Sequence, residues 1–135
     1  MADITITPAS VVQSTSAFAE TGTFGETVTA GQAVYKKAAD GKFWLAQCDD
    51  AAMDDCYGIA LNGGSANQPA TIQIRGNITI GGTVAVGTVY ALSAVFGGIC
   101  PIADIVSTNY VTLIGVGIST TVIQMALLTT GIAKA

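Results

Sequence analysis

The sequence predicts an all-β fold: a small β-barrel or sandwich built from two related β units, with an extended N-terminal arm. Three observations carry the prediction. The 135 residues are 50% hydrophobic, only 10% are charged and 16 are glycine, with Val, Ile and Thr, the residues that suit a pleated surface, prominent among the rest. Short stretches alternate apolar and polar side chains with a period of two. Part of the chain also repeats itself, Val28 recurring as Val84 after 56 positions and Gly58 as Gly115 after 57.

The elements follow in order. Alternation marks strands over 4–7, 71–75 and 77–80, with Gly76-Asn77 as a tight turn between the last two, since both residues tolerate positive φ. Asp40-Gly41 is a stronger hairpin signal. It joins strands at 33–36 and 43–46, with Lys36, Lys37, Asp40 and Lys42 at the wet tip. Gly97-Gly98 does the same between 89–92 and 99–102. Residues 105–133 carry no charge and are long enough to raise a transmembrane helix. Their β-branched residues and interrupting Ser, Thr, Asn, Gln and Gly favour two strands instead, over 110–118 and 122–128.

The repeat divides the chain. Residues 1–24 form an N-terminal strand and arm, and 25–135 a β domain whose copies span 25–62 and 81–119. A unit of this kind exposes an apolar face that it cannot bury alone, so the copies are expected to pack together. Residues 8–24 are small and hydroxylated, with few large apolar anchors. They read either as an irregular surface loop or as an arm that adds main-chain hydrogen bonds to a neighbouring subunit.

Composition excludes several functions. The chain has no His, which removes the commonest general base and the commonest metal ligand, and with them Ser-His-Asp, Cys-His and His-ligated zinc chemistry. Five Lys and Arg against nine Asp and Glu give a net charge of -4, unsuited to binding phosphate backbones, so no nucleic-acid partner is expected. No membrane partner is expected either. The start has no basic segment followed by an apolar run, unlike a secretory signal.

Each chemical motif also has a plain structural reading. Asp49, Asp50, Asp54 and Asp55 form a carboxylate cluster, but without the alternating ligands and central Gly of a calcium loop they read as a solvated acidic turn. Cys48, Cys56 and Cys100 fit neither a zinc ribbon nor a disulfide scaffold. Free, partly buried thiols in a reducing compartment are expected, with a Cys48–Cys56 bridge as the alternative. Gly41-Lys42 lacks the upstream Gly of a phosphate loop, and Gly115-Val-Gly117 lacks the third Gly of a dinucleotide fingerprint. No catalytic, cofactor-binding or metal-binding residue is assigned. The aromatics Tyr35, Phe43, Trp44, Tyr57, Tyr90, Phe96 and Tyr110 lie at or beside strands, where packing is their default role.

Charge is scarce as well as uneven. A soluble domain usually carries about 25% charged residues, and between Cys56 and Ala133 only Arg75 and Asp104 are ionised. Such a surface calls for cover by other protein. The stretches 27–35, 57–62, 66–70 and 82–93 resemble the small capsid cement proteins of tailed bacteriophages, also called decoration or head-stabilising proteins. The likeness runs from about Ala17 to the end of the chain; Cys48, Cys56 and the acidic loop between them look unlike the usual pattern. The resemblance implies a non-enzymatic virion protein, made in the host cytoplasm, that binds the outer capsid surface and clamps adjacent capsomers. Its implied partners are the major capsid protein and further copies of itself, as a homotrimer. Candidate contact residues along the N-terminal segment are Ile4, Ile6, Val11, Val12, Phe18 and Phe24. The competing reading is a receptor- or carbohydrate-binding module of a phage fibre or surface appendage, using Trp44.

Overall fold

The computed structural model describes residues 3–15 and 17–134. Ten strands follow in chain order: β1 (Val12–Gln13), β2 (Phe18–Thr23), β3 (Ala33–Lys36), β4 (Phe43–Leu45), β5 (Gly58–Ala60), β6 (Pro69–Thr79), β7 (Val89–Leu92), β8 (Ile99–Pro101), β9 (Tyr110–Gly117) and β10 (Val122–Ala133). Two short 3-10 turns, Pro8–Ser10 and Ile102–Asp104, are the helical elements among the described residues. The protein is therefore all-β. Its strands form one antiparallel sheet in the order β4-β3-β5-β6-β10-β9-β7-β8, curled into a half-barrel, with β1 and β2 also paired to β6.

That order is a palindrome of two equivalent halves. Strands β4-β3-β5-β6 run inward from one edge as β8-β7-β9-β10 do from the other, and the halves meet where β6 pairs with β10. Registers match too. Val34 pairs with Leu45 and Tyr90 with Pro101, each 56 positions on; Val34 faces Gly58 as Tyr90 faces Gly115. Turn geometry repeats with them, at positive φ for Gly31 and Gly87 and for Gly41 and Gly97.

The core lies inside the curl. Ile59, Ile78, Ile80, Leu92, Ile99, Ile114 and Ile123 are fully buried in one cluster drawn from both halves. A smaller cluster of Phe24, Val28, Val34, Phe43, Ala60, Ala70 and Ile72 fills the other face of the first half. Beyond the strand pairing, the outer hairpins tie the curl together. The β7–β8 turn accepts the Ala33 N–H at the Gly97 carbonyl (2.9 Å) and the Cys48 N–H at the Ser93 carbonyl (3.0 Å), and the Gly97 N–H reaches the Ala46 carbonyl (2.7 Å).

Four expectations need correction. Gly76-Asn77 makes no turn: Gly76, at φ +97, sits within the continuous strand β6 and lets it bend while Met125 of β10 pairs across it. β10 continues to Ala133 rather than stopping near 128, absorbing register shifts between Met125 and Leu128 and between Thr129 and Ala133. The segment 8–24 is neither a plain loop nor an arm reaching outward. It supplies β1 and β2, which run successively along β6 of the same chain. Residues 4–7 make no regular strand, although the Ile4 N–H bonds to the Ile99 carbonyl at 2.9 Å.

A candidate docking face

Directly paired residues share a face of a sheet, so the registers define what the convex side presents. Val12, Thr79 and Val122 lie side by side across β1, β6 and β10. Ile118, whose N–H bonds to the Val122 carbonyl (3.0 Å), extends the row into the β9–β10 turn. One step along, Asn77, Gln124, Val116 and Val89 form the next row across β6, β10, β9 and β7. Beyond the first β10 bulge, Leu113 pairs with Leu128. The residues directly behind, Ile78, Ile123 and Met125, are core.

None of these outward residues is ionised, and several large apolar groups stand in solvent. Val12 is 55% exposed, Ile118 43% and Leu128 56%; Val86, in the turn whose Gly87 N–H bonds to the Gly117 carbonyl, is 65% exposed. Two charges border this face: Arg75 on β6 lies over the ring of Phe18 with its guanidinium carbon 4.6 Å from the centroid, and Asp55 accepts from Thr129 Oγ1 beside Leu128. Exposed apolar groups are ordinary when scattered. Rows of them on a face without charge make it a candidate interaction surface.

The ionised side chains gather in the first half. Lys36, Lys37, Asp40 and Lys42 occupy the β3–β4 hairpin and Asp49, Asp50, Asp54 and Asp55 the loop after β4. The Asp40 carboxylate accepts from the Lys42 N–H (2.9 Å) and from Trp44 Nε1 (3.1 Å), and these bonds hold it below the usual carboxylate range. Lys37 Nζ lies 4.4 Å from the centre of the Trp44 ring, and a side chain at Gly25 would run into the same ring. Trp44 is thus half-buried, with the Lys37 ammonium over its ring and the Asp40 carboxylate on its Nε1.

The acidic loop is only partly solvated. Asp49, Asp50 and Asp55 lie at its surface or edge, whereas Asp54 is 4% exposed and its Oδ2 has no hydrogen-bond partner. Burial raises the Asp54 pKa, with help from the charges of Asp55 and Asp50. The loop anchors to the second half, since Thr112 Oγ1 donates to the Asp54 carbonyl (2.6 Å) and Thr129 Oγ1 to Asp55 Oδ1 (3.1 Å). Among the described residues no group of three or more His, Cys, Asp or Glu side chains is arranged to hold a metal ion.

All three cysteines are buried free thiols. Burial pushes Cys48 up to about 11 and Cys56 and Cys100 up to about 12. Cys48 and Cys56 do not bridge; Cys56 Sγ instead donates to the Gly58 carbonyl at 3.6 Å.

The six contact candidates separate into three groups. Val12 and Phe18 stand exposed on the edge of β6, and Val12 belongs to the face just described. Ile4, Ile6 and Val11 are half-buried against the chain's own core. Phe24 is 0% exposed and has no surface to offer a partner, because it fills the smaller core cluster beside Phe43 and is therefore withdrawn. No motif in the sequence singles out Ile118, Val122 and Leu128 from the other strand and turn residues. All lie in the β9–β10 hairpin and its turn, so their lack of charge was visible, but their alignment with Val12 and Thr79 depends on β1 and β10 both pairing with β6, far away in the chain.

Among the described residues no helix is long and apolar enough to cross a membrane. No protein-family model matches the chain, and no curated protein matches it.

Proposed function

We propose that this protein is a non-enzymatic structural component of a phage virion that binds the outer capsid surface and stabilises the head by clamping adjacent capsomers. The reading rests on the resemblance described above, and the observation that carries it is the one-sided distribution of charge. The uncharged rows through Val12, Val122 and Ile118 face the shell, while the β3–β4 hairpin, with three lysines and Asp40, stays in water. Desolvating a face without ionised groups avoids the large cost of burying charge.

A specific contact needs about 1,000 Å² or more of total buried surface. Several modest contacts made together raise apparent affinity by about 10² to 10⁴ where their geometry matches, so a homotrimer whose subunits each meet major capsid protein clamps more firmly than one copy. The test compares expanded shells with and without the protein. Shells carrying it should keep their contents to a higher temperature. Equal heat tolerance, with no protein retained after sedimentation, would refute the reading.

A further inference from the structure

The two halves differ in how their outer hairpins are completed. In the first half the Phe43 carbonyl of β4 accepts the Gly25 N–H at 2.8 Å, from the segment that leads into that same half. Its counterpart 56 positions on is the Ile99 carbonyl of β8, and here the donor is the N–H of Ile4, from the other end of the chain. The second half is thus finished by a segment it does not itself contain.

The groove that receives this segment is shaped for a main chain. Thr7 N–H bonds to the Gly81 carbonyl (2.8 Å), and Ser93 Oγ donates to Asp3 Oδ1 (2.8 Å). Glycines line the path. A Cβ on Gly82 would come 2.5 Å from the Thr5 carbonyl oxygen, one on Gly81 2.6 Å from that of Thr7, and one on Gly31 2.5 Å from the Ile6 side chain; one on Gly98 would strike Asp3. The fit is nonetheless loose at the sides. Clefts of about 390, 220 and 470 Å³ all border the segment, sharing Asp3, Ile4, Thr5, Ile6 or Thr7 among their walls. Residues 7–10, including the Pro8–Ser10 turn where the segment joins β1, are exposed.

We infer that residues 3–7 are an exchangeable donor segment, and that the groove between β8 and the Gly81-Gly82 corner takes the same segment from a second copy of this chain. The contacts are identical in either arrangement, so exchange sacrifices none of them. What favours the closed form is effective concentration, about millimolar for a short flexible tether. Exchange therefore competes once copies are packed at that density. The inference holds whether or not the partner surface is a capsid.

Two full-length variants test it. Asp3→Cys and Ser93→Cys chains carrying different tags cannot form this bond alone, but are mixed at about 1 mM and oxidised. The native thiols, buried with raised pKa values, should stay silent. A tagged heterodimer at least tenfold above that from Asp3→Cys with Leu128→Cys is expected. The double variant Asp3→Cys/Ser93→Cys, at micromolar concentration, should close within one chain. Heterodimer no greater than the control, or failure of the double variant to close, overturns the inference. Should either variant melt early, a labelled peptide of residues 3–13 is titrated onto the unaltered chain, where saturable binding supports exchange and none up to millimolar concentration overturns it.

Discussion

Asp54 shows how one side chain sets a pH dependence. Its carboxyl is buried with an unpartnered oxygen, and burial raises its pKa above the ordinary 3.8. The folded state then holds the proton more tightly than the unfolded state does. Below the unfolded value both states are protonated and no penalty exists. As pH rises through the raised folded value, stability is lost and stays lost above it. Urea melts should therefore show declining stability across that window, with Asp54→Asn flattening the decline and exceeding the unaltered chain at neutral pH. The thiols give a second expectation at this scale. With Cys48 pushed up to about 11 and the others to about 12, all three should resist a thiol reagent at pH 8 and react only after unfolding. The sequence pointed to buried free thiols rather than a Cys48–Cys56 bridge. Asp54's burial was not legible there, because its loop is anchored to Thr112 and Thr129 of the other half, far away in the chain.

Among the elements, the tightest constraint is the approach of β5 to β6 and of β9 to β10. A methyl group on Gly58 would penetrate the Gln73 carbonyl, and one on Gly115 the Gln124 carbonyl. Gly58→Ala and Gly115→Ala should each cost about 2–3 kcal/mol in denaturant melts. By contrast Gly41→Ala, at φ +69 in open space, should cost only about 1 kcal/mol. The hairpin turns around Gly41 and Gly97 were legible because their chemistry is local. Gly76 was misread since a turn and a kink within a strand ask the same thing of a glycine, and only the pairing with Met125 decides between them. Strand β2 escaped notice because Glu20, Thr21 and Gly22 have no strand pattern of their own; the edge of β6 imposes it.

At the scale of the molecule, two equivalent halves joined through β6 and β10 leave the rows through Val12, Val122 and Ile118 uncharged and gather most of the ionised groups in the β3–β4 hairpin and the loop after it. Scarcity of charge was visible in the sequence. Its arrangement was not, because Val12 joins Val122 and Ile118, which are close in sequence, only through the pairing of β1 and β10 with distant β6. The central proposal is that this face docks on a capsid, and co-sedimentation with expanded empty shells tests it most directly. Val12→Asp and Ile118→Asp place charge at exposed positions and should leave the melting temperature within a few degrees while lowering shell binding at least tenfold. Lys37→Gln, on the hairpin, should bind as the unaltered chain does. Full binding by both aspartate variants, or loss confined to Lys37→Gln, would contradict the account.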